Sequence, residues 1–270
     1  MIYLYAYTNF KDGLDSLRRV KVIYDFLTEN GKECELLLNE YRAQLTARDW
    51  GLPLATTIET IKDIDAVATP EDIVIIDSPE AIEGKVLNYP NKFKKVIYLN
   101  SQCENVNFGN SVVLEVFNKS NLLAPKLKKC VKNGKSIFIY GDSDYEKTIL
   151  KNSDLFKDKN LDLYFGTYFF VKYEDKLTSI FNQLIDAQEY YNILEEYENI
   201  ITTSPQIAIE CALNGIKICF LELRELEECQ KDLLQNLKVN ISKKICDNFD
   251  KVELNNNDNM SILNIILSYV

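Results

Sequence analysis

The stretch ENIITTSPQIAIECALNGIKICFLEL, residues 198–223, decides the fold, because it predicts a strand, a helix and a second strand joined by tight turns. NIITT is β-branched and apolar, which is typical of a buried strand. Ser204 is a candidate N-cap, and Pro205 suits the first helical position, where no N–H is needed. Gly215 provides a left-handed helix stop before the second apolar run, IKICFLEL. This order of elements indicates a parallel α/β sheet.

Glu210 is a carboxylate in the middle of a helix that is otherwise largely apolar. With Gln206 and Asn214 it falls at the spacing i, i+4, i+8, which places the three side chains in one polar stripe. Two interpretations are compatible with this spacing. Either the stripe faces water, or it faces a cleft beside the carboxyl ends of the strands, where open α/β sheets bind ligands.

Length and composition are those of an ordinary globular protein. The chain has 270 residues, enough for two modest α/β domains, with 46% hydrophobic and 27% charged residues. Its net charge of −10 argues against an extended nucleic-acid surface, which needs clustered Lys and Arg. No run of 18 apolar residues occurs, so we expect no integral membrane segment.

The chain contains seven cysteines and no histidine. The cysteines show no Cys-x-x-Cys spacing and several lie in apolar runs, so we expect small core residues in a reducing cytoplasm. Without histidine there is no Ser-His-Asp triad, no Cys-His dyad and no histidine-ligated metal. A general base must therefore be Asp, Glu, Lys, Tyr or Cys, and no visible motif requires a metal or another cofactor.

Strands alternate with helices along the chain, which predicts a parallel sheet in each half. We predict strands, in some cases with their loops, over 1–8, 32–39, 72–79, 94–100, 111–117, 136–144, 161–170, 199–203 and 216–223, and helices over 14–31, 56–65, 145–152, 177–197 and 205–214. Residues 118–135 are expected to connect two domains, 255–259 to form a surface loop, and 261–270 to form an amphipathic helix or a buried strand. We therefore expect an α/β fold of two Rossmann-like lobes, residues 1–125 and 126–270, with an interlobe cleft.

The loop TNFKDGLDSLRR follows the first predicted strand. Asp15 or Ser16 is expected to cap the next helix, and Gly13 permits a tight turn. A helix N-terminus with Lys11 beside it can hold an anionic group. The alternative is an ordinary capped turn, with Asp12 and Asp15 in water.

The loop YGDSDY, residues 140–145, follows the first strand of the second half. Gly141 and Ser143 are able to present backbone N–H groups to a phosphate at the following helix start. Asp142 and Asp144 would repel a phosphate unless one of them caps that helix.

The stretch EYRAQLTARDWG, residues 40–51, contains Arg42, Arg48 and the single tryptophan, Trp50. Arginine with tryptophan is frequent at binding surfaces. The same spacing is also typical of an ordinary exposed helix, which is the interpretation we favour.

Three stretches give the chain a resemblance to the GT-B nucleotide-sugar proteins, in particular to the UDP-sugar hydrolases of pseudaminic acid synthesis and the lipid II-forming N-acetylglucosaminyltransferases. TSPQIAIECALNGIKICFL is similar to their second-lobe signature, in which Gly follows Glu by five residues, as Gly215 follows Glu210. IFIYGDSD resembles the strand and Gly-rich turn that open the second lobe. NFKDGLDSLRR stands in the place of the Gly-rich, His-containing loop of the first lobe.

The resemblance implies two Rossmann-like lobes, with a uracil nucleotide held mainly by the second. It implies that the matching carboxylate, Glu210, accepts hydrogen bonds from the ribose hydroxyls. The nucleotide-binding residues are then expected to be Gly141, Ser143, Asp144, Thr203, Ser204 and Glu210. The sequence departs from the family at two points: the first loop has no histidine, and Asp142 replaces a glycine of the second-lobe turn.

In the first lobe, Asp15 is the candidate base and Asp12 its rival, because a carboxylate can activate water or a sugar hydroxyl. Substrate binding is expected from Lys11, Gly13, Arg18 and Arg19, the two arginines neutralising sugar-phosphate or carboxylate charge.

These expectations describe a cytoplasmic enzyme that acts on a nucleotide-activated sugar, by glycosyl transfer or by hydrolysis, in bacterial surface glycan or flagellin glycosylation. A UDP-linked ligand is favoured over a CMP-linked one. One alternative is a non-catalytic protein of the same fold that binds a nucleotide sugar or a partner and has lost the family histidine. Another is a structural α/β protein without a ligand. The sequence does not specify the sugar, the acceptor or the oligomeric state.

Overall fold

The computed structural model describes residues 1–128, 130–169, 171–246, 249–251 and 260–270. The chain folds into two compact units. The first comprises Met1–Asn9, Leu14–Leu123 and the C-terminal helix, and the second comprises Phe10–Gly13 and the described chain from Ala124 to Lys251. The two units differ from the expected division at residue 125 in two places. The C-terminal helix belongs to the first unit, and residues 10–13 belong to the second.

The first unit is a parallel sheet with helices. Its strands are β1 (Ile2–Ala6), β2 (Cys34–Leu38), β3 (Thr56–Thr57), β4 (Ile73–Asp77), β5 (Lys95–Asn100) and β6 (Val112–Glu115). Its α-helices before residue 123 are α1 (Asp15–Glu29), α2 (Tyr41–Asp49) and α3 (Tyr89–Lys92), and its 3₁₀ helices are Ile61–Ala66, Gly84–Asn88 and Lys119–Asn121. The strand order β3-β2-β1-β4-β5-β6 pairs Leu4 of β1 with Leu36 and with Ile75.

The prediction that residues 56–65 are helical is wrong for the first five of them, which lie outside any helix. Thr56 pairs with Leu37 at the sheet edge, where a β-branched residue is favoured. A 3₁₀ helix begins only at Ile61 and ends at Ala66, and Thr60 and Asp63 cap it reciprocally.

The second unit repeats the same architecture. Its strands are β7 (Ser136–Ile139), β8 (Leu161–Phe165), β9 (Leu184–Asp186), β10 (Asn199–Thr202), β11 (Lys217–Leu221), β12 (Asn240–Ser242) and β13 (Asp250–Lys251). Its α-helices are α4 (Thr148–Lys151), α5 (Glu174–Leu177), α6 (Tyr190–Glu196), α7 (Pro205–Leu213) and α8 (Glu228–Asn236), with 3₁₀ helices Ser153–Leu155, Val171–Tyr173 and Ala187–Glu189. The parallel order is β12-β11-β10-β7-β8-β9, and β13 pairs antiparallel with β11.

The single helix expected over 177–197 is wrong. Leu184 pairs with Leu163 of β8, and the Leu163 backbone N–H donates to the Gln183 carbonyl at 2.9 Å. This pairing with a distant strand overrides the local helical pattern, and within the segment α-helix is found at Leu177, the last residue of α5, and in α6.

The C-terminal segment forms α9 (Met260–Leu267), so the helical alternative is confirmed. Ile262 and Ile266 are fully buried, as expected of an apolar face. The predicted loop at 255–259 lies outside the described residues. Within the described ranges, no helix has the length and apolar character needed to span a membrane.

Cys219 on β11 and Cys246 form a disulfide. The expectation that the cysteines are separate, reduced core residues is therefore wrong for this pair. It holds for the free and fully buried Cys211, whereas the free Cys130 is exposed.

Candidate functional site

Each sheet has a switch point, where two adjacent strands continue into connections that run in opposite directions. In the second unit this point lies between β7 and β10, because β7 leads to β8 on one side and β10 leads to β11 on the other. In the first unit it lies between β1 and β4. Ligands of open α/β sheets bind outside the carboxyl ends of strands at such points.

The helix α7 begins directly at the switch point of the second unit. Ser204 caps it by accepting a hydrogen bond from the Ile207 N–H at 3.2 Å, and Pro205 is its first residue. Gly215 follows its end with φ +61°, the left-handed conformation that favours glycine. All three predicted boundary residues are confirmed.

Glu210 lies inside the protein, with an exposed fraction of 0%. Its Oε2 accepts a hydrogen bond from the Tyr190 hydroxyl at 2.6 Å, and its Oε1 accepts one from the Gln206 amide at 3.0 Å. The water-facing interpretation of the polar stripe is therefore wrong. Burial, together with the Glu210 charge, also holds the pKa of the neighbouring Cys211 thiol well above its ordinary value.

Aromatic contacts link Glu210 to the loop after β7. The ring of Tyr190 meets that of Tyr164 edge-on at 5.8 Å, and the Tyr164 hydroxyl donates to Asp142 Oδ1 at 3.1 Å. Asp142 is 3% exposed, so its side chain points inward. Glu210 and Asp142 are thus joined through two buried tyrosines.

Asp144 accepts hydrogen bonds from backbone N–H groups at the start of the short helix α4. Its Oδ1 accepts from the Thr148 N–H at 2.6 Å, and its Oδ2 accepts from the Ile149 N–H at 2.9 Å and from the Tyr173 hydroxyl at 2.5 Å. Burial and this hydrogen bond raise the pKa of Tyr173. Because Asp144 occupies these two N–H groups, a phosphate cannot receive them at this helix start. Gly141 and Ser143 of the same loop are half-buried.

Thr203, at the end of β10, holds the first loop residue after β7. Its hydroxyl donates to the Tyr140 carbonyl, and Thr203 is buried. The two strand ends at the switch point are therefore fixed to each other.

Arg224 is a candidate site residue that sequence reasoning missed. It follows β11 and is exposed, and its guanidinium carbon lies 5.4 Å from the centre of the Tyr140 ring. No described carboxylate forms an ion pair with it. The sequence does contain a signal, since Arg224 is the single arginine after Arg48 and comes three residues beyond a buried strand.

In the first unit, the expectation that Asp15 or Ser16 caps α1 is wrong. The N-cap position is Leu14, whose side chain makes no capping hydrogen bond, and Asp15 is the first helical residue. Asp15 Oδ1 accepts from the Arg18 Nη1 at 3.0 Å, and its side chain is 29% exposed. Gly13 has φ +74°, so the predicted tight turn is confirmed.

Arg19 is held in a buried ion pair. Its Nε and Nη2 donate to the two carboxylate oxygens of Asp77 at 2.6 and 2.8 Å, and neither side chain is more than 3% exposed. Arg18 is fully buried with its guanidinium carbon 5.4 Å from the Trp50 ring. Both arginines are thus part of the packing of the first unit. Their burial argues against the predicted contact of Arg18 and Arg19 with a substrate. Lys11 and Asp12 of the same loop are exposed.

The stretch 40–51 forms the helix α2 with exposed Arg42 and Arg48. Trp50 is 5% exposed and does not contribute to a surface. The interpretation as an ordinary exposed helix is confirmed. Among the described residues, no cluster of three Cys, Asp or Glu side chains has the arrangement of a metal site.

The candidate site of the second unit therefore consists of Gly141, Ser143, Thr203, Ser204, Glu210 and Arg224, with Asp144 turned inward.

No protein-family model matches the sequence, and no curated protein shows significant sequence similarity to it. Its structure resembles the UDP-GlcNAc 2-epimerase of Methanocaldococcus jannaschii in complex with UDP-GlcNAc and UDP, at 9% identity and a TM-score of 0.57, over 99% of this chain and 100% of that one.

Two further solved structures resemble the chain. The UDP-GlcNAc 2-epimerase of Neisseria meningitidis bound to UDP-GlcNAc matches at 10% identity and a TM-score of 0.51, over 99% of this chain and 100% of that one. A glycosyltransferase involved in avilamycin A biosynthesis matches at 13% identity and a TM-score of 0.51, over 99% and 96% of the two chains. At such identities the likeness concerns the fold, and the chain has a GT-B-like α/β fold of two Rossmann-like lobes.

Proposed function

We propose that the chain binds a UDP-linked sugar at the switch point of its second unit and acts on it by glycosyl transfer or by hydrolysis. The observation that carries this proposal is the buried carboxylate of Glu210 on a helix that starts at that switch point. Burying a carboxylate costs free energy, even when it accepts hydrogen bonds from neutral donors such as Tyr190 and Gln206. Binding of a ligand diol would explain why the chain keeps a carboxylate at this position. The structural likeness to proteins whose complexes contain UDP-GlcNAc supports the same ligand class.

In this proposal Glu210 accepts hydrogen bonds from the ribose hydroxyls. A charge-assisted hydrogen bond is about twice as strong as a neutral one, which suits a diol. Thr203 and Ser204 place the start of α7, and the backbone of Gly141 and Ser143 borders the same point.

Arg224 is proposed to neutralise the diphosphate. It is exposed beside the Tyr140 ring, and guanidinium groups match phosphate geometry with two parallel donors. Arg224 would contact the diphosphate in place of the N–H groups at the start of α4, because Asp144 already accepts their hydrogen bonds.

The proton transfer is assigned to a carboxylate of the first unit. Asp15 is partly exposed and accepts a hydrogen bond from the Arg18 guanidinium, and a carboxylate can serve as a general base. It would take the proton of water or of an acceptor hydroxyl as the bond from the sugar to the UDP phosphate breaks. Asp12, which is exposed and lies three residues before Asp15 in the sequence, is the rival.

A second candidate function is nucleotide-sugar binding without turnover. Asp144 occupies the α4 start where the family has a Gly-rich turn, and the chain contains no histidine. Both observations favour a protein that retains the ligand but not the reaction.

Incubation with a panel of UDP- and CMP-sugars, followed by mass spectrometry, separates these functions. Release of UDP, with or without transfer to an added acceptor, supports the enzyme, and the acceptor found assigns a place in surface glycan or flagellin glycosylation. A thermal shift with UDP but no product supports the binding protein, since a ligand at 100 times its dissociation constant adds about 2.7 kcal/mol. No shift and no product with any nucleotide would reject both.

A further inference from the structure

We propose that Tyr190 is an internal competitor of the ligand for Glu210. Its hydroxyl donates to the buried carboxylate from the place that a ribose hydroxyl would take, so that binding exchanges one partner for the other. This inference rests on the proposed function, because it concerns how the same carboxylate becomes available.

The first observation is burial. Glu210 and Tyr190 each have an exposed fraction of 0%. A ribose hydroxyl must approach Glu210 to within about 3 Å to form a hydrogen bond. With no accessible surface on the carboxylate, such an approach requires a covering side chain to move.

The second observation is the occupancy of both carboxylate oxygens. Tyr190 donates to Oε2 at 2.6 Å and Gln206 donates to Oε1 at 3.0 Å. The phenol is therefore a hydroxyl donor in the same chemical class as the ribose hydroxyls, at a hydrogen-bond distance typical of a charged acceptor.

Tyr190, rather than Gln206, is the exchangeable partner. Gln206 lies one turn before Glu210 on α7, so the two side chains are neighbours on one helix face. Tyr190 comes from another element: it is the first residue of α6 and directly follows the 3₁₀ helix Ala187–Glu189. Because Tyr190 lies on a separate element, its hydrogen bond to Glu210 can break without unfolding α7.

The competition lowers the affinity for any ligand that uses Glu210. When the ligand binds, Glu210 first loses the hydrogen bond from Tyr190 and then accepts one from the ribose. A ligand with one ribose hydroxyl only replaces what was lost, whereas a diol adds a second donor, since a carboxylate has about four acceptor positions.

The test is calorimetry of UDP and 2′-deoxy-UDP with the intact protein and with Tyr190→Phe, which keeps the ring and removes the hydroxyl. We expect both ligands to bind roughly ten-fold more tightly to Tyr190→Phe, because the free protein alone loses a charge-assisted hydrogen bond. Its thermal midpoint without ligand falls for the same reason. A variant that is both less stable and tighter binding is not expected of a residue that is only structural.

Tyr197→Phe is the matched control. Tyr197 is a buried tyrosine of the same unit whose hydroxyl donates to the buried Asp162 at 2.7 Å. Its substitution should lower the thermal midpoint similarly and leave both ligand affinities unchanged.

Hydrogen exchange on the unsubstituted protein provides an independent measurement, should Tyr190→Phe fail to fold. Saturating UDP should speed exchange in the first turn of α6 and slow it in α7. Slower exchange in both helices, or weaker binding of UDP to Tyr190→Phe, would overturn the competition and make Tyr190 a residue that positions Glu210. If UDP binds to none of the proteins, the proposed function fails with it.

Discussion

Replacement of Asp77 by Asn tests whether Arg19 belongs to the packing of the first unit or to a ligand site. Asn keeps the size of Asp77 but removes the charge that faces the Arg19 guanidinium at 2.6 and 2.8 Å. Arg19 and Asp77 are 3% and 0% exposed, so the guanidinium would remain buried without this counter-charge. Breaking such a pair from one side costs about 3–5 kcal/mol, and we expect the lower end, since Asn still accepts one hydrogen bond.

For a unit of this size, a loss of about 3 kcal/mol lowers the thermal midpoint by on the order of 10 °C. The assay is thermal unfolding followed by circular dichroism and calorimetry, because two units can unfold in separate transitions and only that of the first should move. Asp154→Asn is the control: its ion pair with Lys157 is exposed, and its removal should leave the midpoint unchanged. A midpoint of Asp77→Asn within about 2 °C of the unsubstituted protein would refute the structural role of the pair and restore Arg19 as a candidate ligand contact.

Three further results are expected. Asp15→Asn should abolish turnover and leave the UDP affinity within a few-fold, because Asp15 and the proposed nucleotide site belong to different units; full activity would move the role of base to Asp12. Gly166→Ala should lower the thermal midpoint and weaken UDP binding, since an added Cβ would lie 2.6 Å from the Asp142 carbonyl carbon and displace the loop after β7; an unchanged UDP affinity would remove that loop from the site. Iodoacetamide at a pH of about 8 should label the exposed Cys130 before Cys34, because burial raises the pKa of the Cys34 thiol to about 11; peptide masses that show Cys34 labelled first would contradict this.

The boundaries of α7 were predictable from sequence because local chemistry fixes them. Ser204, Pro205 and Gly215 each act on the backbone within a few residues, as an N-cap, a first helical residue and a left-handed stop. The strand β9 was not predictable, since Leu184 is a strand residue through its pairing with Leu163 in β8. A pattern of apolar residues alone does not distinguish that strand from a helix.

The place of Glu210 on a helix after a buried strand was predictable from sequence, but its hydrogen-bond partners were not. The chain order of strands and helices places Glu210 near the carboxyl edge of the second sheet. Its hydrogen bond from Tyr190 joins residues 20 positions apart, and the pair of Arg19 with Asp77 joins residues 58 positions apart. Such pairings, like the disulfide of Cys219 with Cys246, are set by the packing of elements and have no signature in the sequence.

The most direct test of the central claim is calorimetry of UDP and 2′-deoxy-UDP with the unsubstituted protein and with Glu210→Gln. In the proposed exchange, two ribose hydroxyls replace the single Tyr190 hydroxyl that donates to Glu210, so UDP would gain one additional charge-assisted hydrogen bond on binding. Gln reduces that bond to a neutral one, and we expect UDP to bind about 1 kcal/mol, or roughly five-fold, more weakly. 2′-Deoxy-UDP exchanges one hydroxyl for another and should show almost no change. Equal affinities in all four combinations would contradict the claim that Glu210 receives the ribose.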